Sequence, residues 1–228
     1  MTQLSRESVG GARFSSRGSG ETISAGRAIG RLLESGDLLL LRGTLGAGKT
    51  TLAQGLAIGL GIDDYVTSPT FTLVNEYRPA DPSGFPLYHL DLYRTAGSLE
   101  ALDLGLDEYL ESGGVVAVEW AERAEDALPV EYLSLELAVD AIPDDGLVSS
   151  PGAGASSDVH ARSKMGTDVL RTVGASATSP LGDEPSADER RVLVITAAGG
   201  RYFRRLPRIR AALVAAGLAI MTDEPVNR

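Results

Sequence analysis

The chain has 228 residues, a net charge of −10 at neutral pH and no cysteine. The acidic balance disfavours binding of nucleic acid by the surface as a whole, and the lack of cysteine excludes disulfides and cysteine-based metal sites. The first 20 residues lack the apolar core of a signal peptide, and the apolar run at 211–221 is too short to cross a bilayer. We therefore expect a cytoplasmic protein that does not enter a membrane.

The apolar patterns predict an α/β protein in which strands alternate with helices. Residues 1–20 are rich in Ser, Gly and Arg, so we expect them to form a disordered tail. In chain order the patterns predict a helix at 21–35, a buried strand at 37–41, a helix at 50–61, strands at 70–78 and 86–94, a helix at 98–112, a strand at 115–120, a short helix at 121–128, and strands at 132–139 and 191–200. Prolines and a glycine between the strands at 70–78 and 86–94 favour a β-hairpin.

The composition changes abruptly at residue 141. Residues 141–188 contain no aromatic residue, and about half of them are Ala, Gly, Ser or Pro. Such a segment buries too little apolar surface to offset its ordering entropy. We therefore predict one folded domain at 21–140, interrupted by a disordered insert at 141–188 and completed by the strand and helix of 189–228.

The stretch RGTLGAGKTT at 42–51 has the complete phosphate-binding P-loop pattern and lies between a predicted strand and a predicted helix. Glycines let successive backbone N–H groups face one anion, Lys49 suits the β- and γ-phosphate oxygens, and Thr50 suits Mg²⁺. A glycine turn before an ordinary helix is the weaker interpretation. ATP is favoured because no guanine-specific Asn-Lys-x-Asp stretch occurs. The predicted nucleotide-binding residues of this loop are Gly43, Thr44, Leu45, Gly46, Ala47, Gly48, Lys49, Thr50 and Thr51.

Two acids near the ends of predicted strands, Asp91 and Glu119, are candidates for the second magnesium ligand beside Thr50. Each acid alone could equally be a solvated or salt-bridged surface carboxylate. We expect one of them to bind the metal and the other to help the metal or position a water, which makes Asp91, Glu119 and Lys49 the catalytic candidates. The hydroxyl-rich stretch TSPTFT at 67–72 could close on the γ-phosphate, or could simply form a turn around its proline.

The succession GTLGAGKTT, SPTFTLVNEY, YHLDLYR and VEW resembles the TsaE family, the small bacterial ATPases formerly called YjeE. The resemblance covers 21–139 and, more loosely, 189–217. It implies a P-loop NTPase-like three-layer sandwich with a mostly parallel central sheet. It also implies that Glu119 is the magnesium-linked glutamate and Asp91 the essential hairpin aspartate, that Thr70 and Thr72 match the switch-like loop, and that Thr22 approaches the adenine.

The same resemblance implies a function. TsaE proteins support N6-threonylcarbamoylation of the adenosine next to the anticodon in tRNA. They bind the TsaD–TsaB heterodimer, reset it through Mg-ATP binding and hydrolysis, and hydrolyse ATP slowly on their own, so that tRNA is contacted only through the complex. A small-molecule P-loop kinase is the alternative, since it would share the phosphate loop and the acid. A nucleotide-binding scaffold without turnover is a third possibility.

Three further features allow two interpretations each. An arginine cluster at 201–210 could contact tRNA or a partner, or could be a solvated helix face, and Pro207 is expected to kink or delay that helix. His89 lies in a predicted strand and is expected to be a hydrogen-bonded structural residue. Trp120 could stack on a base or simply fill space.

Overall fold

The leucine run that precedes the P-loop forms strand β2 (Leu38–Arg42), and every residue of this strand is buried. The computed structural model describes residues 10–95, 97–140 and 189–222, and β2 lies within an eight-stranded sheet of order β3-β4-β5-β2-β6-β7-β1-β8. The other strands are β1 (Gly10–Ser16), β3 (Val74–Tyr77), β4 (Leu87–Asp91), β5 (Val115–Glu119), β6 (Tyr132–Val139), β7 (Arg191–Ala198) and β8 (Ala219–Thr222). The helices are α1 (Ser19–Gly30), α2 (Lys49–Gly59), α3 (Ser98–Leu102), α4 (Leu106–Glu111) and α5 (Gly200–Ala215), with 3-10 turns at Ala121–Arg123 and Glu125–Ala127.

The four central strands, β4, β5, β2 and β6, run parallel to one another. The outer pairs are antiparallel, and β3 and β4 form the predicted hairpin. Parallel neighbours need crossover connections, which α2 and the α3–α4 segment supply. The predicted α/β class is confirmed, and the carboxyl ends of β2, β4 and β5 meet at one edge, where α/β proteins bind ligands.

Alternate residues of each strand enter different layers of the core, because successive side chains of a strand point to opposite faces. Leu39 and Leu41 face the layer formed by α1, α2 and α5. Leu38 and Leu40 face the layer that contains α3, α4 and the 3-10 turns. The sheet is therefore the middle of three layers, as the family resemblance implied.

Helices α1 and α2 pack backbone to backbone through pairs of glycines four residues apart. A Cβ atom added at Gly26 of α1 would lie 2.3 Å from the carbonyl oxygen of Leu52, and one added at Gly55 of α2 would lie 2.3 Å from that of Ile23. Gly30 and Gly59 continue the same contact. Because no side chain separates the helices, α1 fixes the position of the helix that carries the P-loop lysine.

Part of the predicted N-terminal tail is ordered, so the prediction of disorder for residues 1–20 was wrong over β1 and the start of α1. β1 lies between β7 and β8 and buries Ala12 and Phe14 completely. The sequence did not predict this strand, because the small and polar residues around Ala12 and Phe14 give no clear alternation of apolar and polar residues. The strand that pairs with it, β7, also lies about 180 residues away along the chain. Residues 1–9 and the predicted insert at 141–188 lie outside the described residues, so their predicted disorder stays a prediction.

Three smaller expectations also need correction. The helix predicted at 98–112 is split into α3 and α4, because Gly105 adopts a left-handed backbone with φ of 73°. The short strand β8 was not predicted. Helix α5 already begins at Gly200 and continues through Pro207, so this proline does not delay the helix.

The C-terminal segment completes the same sheet, since β7 lies between β6 and β1. Two of the clustered arginines on α5, Arg201 and Arg205, bind the buried carboxylate of Asp37 just before β2. Both guanidinium groups therefore belong to an internal ion pair, in which Arg205 is buried and Arg201 is 33% exposed, whereas Arg204 and Arg208 are exposed. In the described part of the chain, no helix combines the length and apolar character needed to cross a bilayer.

Candidate nucleotide-binding site

The P-loop joins the end of β2 to the start of α2. Gly43, Gly46 and Gly48 all have positive φ angles, of 133°, 76° and 103°, which residues with a side chain rarely adopt. At Gly43 a Cβ atom would also lie 2.2 Å from the carbonyl oxygen of Leu137. Only glycine fits there, and the resulting loop presents the N-terminal end of α2, the favoured place for a phosphate.

The remaining loop residues occupy different environments. Leu45 is 64% exposed at the tip of the loop, Thr44 is exposed and Thr51 is half-buried in the first turn of α2. Ala47 is fully buried and anchors the loop on the core. The loop is therefore exposed to solvent at Thr44 and Leu45 and is held against the core at Ala47.

Lys49 lies folded over the loop that precedes it. Its Nζ donates hydrogen bonds to the carbonyl oxygens of Gly43 at 2.8 Å and Thr44 at 2.9 Å, and lies 3.8 Å from the centre of the Trp120 ring. Burial lowers the pKa of Lys49, although the charges of Glu119, Glu122 and Asp91 act in the opposite direction. A desolvated ammonium group held by neutral carbonyls gains much from an incoming anion, which is the property a phosphate-binding lysine needs.

Glu119 connects the P-loop to the end of the neighbouring strand β5. The hydroxyl of Thr50 donates to Glu119 Oε1 at 2.8 Å, and His89 Nε2 lies 2.9 Å from the same oxygen. Glu119 is only 3% exposed. The structure thus brings together Thr50 and Glu119, two residues with the oxygen ligands that Mg²⁺ prefers.

Asp91 ends strand β4 directly opposite Glu119 in the parallel register, but its carboxylate has different partners. Oδ2 accepts hydrogen bonds from the hydroxyls of Ser68 and Thr70, each at 2.8 Å, and Oδ1 accepts one from the backbone N–H of Tyr93 at 2.8 Å. Asp91 therefore fixes the hydroxyl-rich loop. Sequence reasoning did not single out Ser68, which shares this role with Thr70.

Two other predicted site residues, Thr72 and Thr22, lie in different parts of the site region. Thr72 is exposed and donates to Asn75 Oδ1 at 2.9 Å, so it does not join Thr70 on Asp91. Thr22 is buried near the start of α1, where its hydroxyl donates to Gly18 O at 3.1 Å. A Cβ atom at Gly48 would lie 3.9 Å from Thr22 Cγ2, so Thr22 does lie beside the P-loop.

Arg191, the first residue of β7, also contacts the P-loop. Its Nε donates to the carbonyl oxygen of Ala47 at 3.2 Å, and it would lie 3.3 Å from a Cβ atom at Gly48. Arg190 instead pairs with Asp140 at 4.0 Å, with half of its side chain exposed. Of the two arginines after the insert, only Arg191 is therefore placed to influence the loop.

Trp120 covers the ammonium group of Lys49 and has a left-handed backbone, with φ of 58° and ψ of 37°. The backbone N–H of Trp120 donates to Leu41 O at 3.2 Å, and the Trp120 ring lies 4.9 Å from that of Tyr93. A bulky residue in this conformation is strained, and such strain is concentrated at functional sites. Between Trp120 and the loop lies a pocket of about 400 Å³, lined by Arg42, Gly43, Thr44, Trp120, Glu122, Glu125 and Glu136.

Comparison with known proteins identifies the family. A family model described as "Threonylcarbamoyl adenosine biosynthesis protein TsaE" matches residues 16–144. The chain belongs to the TsaE family. The predicted resemblance is confirmed, and the family match spans the P-loop, Asp91 and Glu119.

Individual TsaE proteins are similar over the same region. The tRNA threonylcarbamoyladenosine biosynthesis protein TsaE of Treponema pallidum is 42% identical over 127 residues, which are 56% of this chain and 91% of the relative. The corresponding Bacillus subtilis protein is 47% identical over 115 residues, 50% of this chain and 70% of the relative. The crystal structure of Bacillus subtilis YdiB superposes with a TM-score of 0.58 at 29% identity, covering 90% of this chain and 97% of YdiB.

Proposed function

We propose that this TsaE-family chain is an ATPase subunit for N6-threonylcarbamoyladenosine modification of the tRNA adenosine next to the anticodon. It would bind and reset a TsaD–TsaB complex through Mg-ATP binding and hydrolysis, and it would meet tRNA only through that complex. One observation supports the proposed ATPase activity. Thr50 directly follows the P-loop lysine, and its hydroxyl is hydrogen-bonded to the buried Glu119 carboxylate. Family membership supports the place in tRNA modification.

The residues at this site fit a magnesium ion. Mg²⁺ favours oxygen ligands, one or two of them carboxylates, together with the phosphates of its nucleotide. Thr50 Oγ1 and the Glu119 carboxylate supply such oxygens within one hydrogen bond of each other. When bound, Mg²⁺ would neutralise charge on the β- and γ-phosphates.

The other residues of the site would bind and orient ATP. The amides of Gly46 and Gly48 and the ammonium of Lys49 would hold the phosphates. Asp91 would act through Ser68 and Thr70, whose hydroxyls it holds at the edge of the sheet. We assign Asp91 to this loop and to the positioning of water or metal, and Glu119 to the metal directly.

We expect slow ATP turnover by the isolated protein, because two arginines beside the P-loop are already bound to other groups of the protein. Arg42 is paired with Glu125, and Arg191 donates to the Ala47 carbonyl. An arginine that reaches the transferred phosphoryl group can raise a rate by about 10³- to 10⁵-fold. A partner protein that supplies or releases such a group would therefore stimulate hydrolysis.

The experiment compares release of inorganic phosphate from ATP by the protein alone and with purified TsaD and TsaB. We expect slow Mg²⁺-dependent release that the partners accelerate. Lys49→Ala and Glu119→Gln should each lower it at least about 100-fold, the scale for removing a preorganised electrostatic group. Glu111→Gln, at an exposed position at the end of α4, is the matched control for Glu119→Gln. Absence of Mg²⁺-dependent ATP binding by folded protein would contradict the proposal.

The same assay separates the proposal from a small-molecule kinase. A kinase would transfer the γ-phosphoryl group to an organic hydroxyl, whereas the ATPase releases it as inorganic phosphate. A kinase would also need an arginine-bearing lid over the phosphates, and the arginine-rich segment of this chain is α5. Its Arg201 and Arg205 bind Asp37 at the start of β2, at the opposite end of that strand from the P-loop, which favours the ATPase.

A further inference from the structure

His89 is a completely buried polar residue on strand β4, two positions before Asp91. Because strand residues two apart share a face, His89 points to the same side of the sheet as Asp91. Its register partner on β5 is Ala117, which is fully buried as well. His89 is therefore buried next to the site rather than on the far face of the sheet.

The polar contact of His89 is with Glu119. Nε2 lies 2.9 Å from Glu119 Oε1, and Nδ1 has no hydrogen-bond partner among the described residues. If His89 only filled space in this layer, an apolar side chain would serve better, because it would not bury a nitrogen that lacks a hydrogen-bond partner. The contact between His89 Nε2 and Glu119 Oε1 therefore indicates that the imidazole holds the carboxylate.

The hydrogen-bond pattern fixes the orientation of both groups. Glu119 Oε1 also accepts the Thr50 hydroxyl at 2.8 Å, and a carboxylate oxygen only accepts. The ring hydrogen must then be on Nε2, a tautomer assigned from the network. Both donors converge on Oε1, and among the described residues no hydrogen bond goes to Oε2, so Oε2 is the carboxylate oxygen left for a metal ion.

We propose that His89 is a positioning residue that holds the Glu119 carboxylate, through Nε2–H and Oε1, in the orientation that presents Oε2 to magnesium. This inference rests on the proposed function for the metal. A hydrogen-bond donor behind a metal ligand fixes the orientation of the ligand, and removal of such a donor typically weakens metal binding 10- to 100-fold. His89 would thus affect magnesium without touching it.

The test uses His89→Leu, which removes the donor, and His89→Gln, whose amide nitrogen can reach the position of Nε2. Mg²⁺ is titrated into each full-length protein saturated with ADP, and binding is followed by the fluorescence of Trp120, the single tryptophan. We expect His89→Leu to raise the Mg²⁺ dissociation constant about 10- to 100-fold and His89→Gln to restore most of the affinity. ADP affinity without Mg²⁺ should stay unchanged in both variants.

Leu87→Ala is the matched control, because Leu87 is fully buried on the same strand and the same face but does not contact Glu119. It should lower stability without changing Mg²⁺ affinity. Equal affinity in wild type and His89→Leu, or equal losses in His89→Leu and Leu87→Ala, would overturn the role of His89 alone. If wild type itself showed no Mg²⁺-dependent signal, the proposed function would fail as well.

A second measurement needs no metal. The ¹⁵N spectrum of the imidazole rings distinguishes the two tautomers, and His160, the only other histidine, can be removed by His160→Asn to assign the signals. We expect the hydrogen of His89 on Nε2 in nucleotide-free protein, with a shifted signal in Glu119→Ala. A hydrogen found only on Nδ1, or a signal that Glu119→Ala leaves unchanged, would contradict the positioning role.

Discussion

Arg205 and Asp37 form a bidentate ion pair, with guanidinium nitrogens 2.7 Å and 2.6 Å from the two carboxylate oxygens. Arg201 adds a third contact at 3.0 Å from Asp37 Oδ1. The pair joins helix α5 to the start of β2, the strand that ends in the P-loop, across 168 residues of sequence. The C-terminal segment thereby helps to fix the strand on which the nucleotide site is built.

Asp37→Ala should strongly destabilise the protein, because it leaves Arg205 as a buried charge without its main partner. Breaking a buried pair in this way typically costs about 3–5 kcal/mol, measured as the free energy of unfolding in urea. Glu34→Ala is the control: Glu34 lies 3.7 Å from Arg205 but is 58% exposed, so its loss should cost less than about 1 kcal/mol. Similar costs for both variants would show that the pair does not anchor α5.

The stability of the protein should fall between about pH 10 and pH 12 because of Tyr202. Burial, helped by the charge of Asp37, raises the pKa of Tyr202 to about 12, despite the hydrogen bond from Leu38 N–H. The unfolded chain loses this proton near pH 10, so the contribution is complete below pH ~10 and disappears as the pH rises through about 12. The loss amounts to about 2–3 kcal/mol.

Chemical denaturation at a series of pH values checks this prediction. Tyr202→Phe should be less stable at neutral pH, since Leu38 N–H loses its acceptor at 2.6 Å, but should lack this part of the alkaline decline. Tyr65 is 81% exposed, so Tyr65→Phe should keep the wild-type profile. An unchanged profile in Tyr202→Phe would mean that another group causes the decline.

Gly26→Ala should destabilise the contact between α1 and α2, because the new methyl group would lie 2.3 Å from the Leu52 carbonyl oxygen. Overpacking of this kind costs about 1–3 kcal/mol or more, and the displaced α2 should also weaken nucleotide binding. Gly20→Ala in the same helix meets no atom within 4 Å and should be neutral or stabilise by up to about 1 kcal/mol. Thermal unfolding of both variants tests the difference, and equal effects would contradict it.

Ser68→Ala combined with Thr70→Val should free the hydroxyl-rich loop from Asp91 and lower kcat for ATP hydrolysis by about 10-fold or more. Thr72→Val is the matched control, because the Thr72 hydroxyl bonds Asn75 instead, and it should retain wild-type turnover. The measurement is steady-state phosphate release under saturating Mg-ATP. If Thr72→Val were as slow as the double variant, the Asp91 contacts would not be the cause.

The local parts of the site follow from the amino-acid sequence alone. The phosphate loop, its preceding strand β2 and its following helix α2 are encoded in one continuous stretch, and the hairpin of β3 and β4 is encoded by alternation around a turn. The same reasoning found Asp91 and Glu119, because both lie near the end of a predicted strand. These features depend on neighbours a few residues apart, which a single sequence displays directly.

The folded structure sets how distant parts of the chain meet. It separated the roles of the two acids, with Glu119 bonded to Thr50 and Asp91 to Ser68, and it placed His89 behind Glu119. It also turned Arg205 inward to Asp37 and paired the glycine-rich β1 with β7. Periodicity shows which face of an element is buried, but the choice among carboxylates, donors and strand partners far apart in sequence is made when the chain packs.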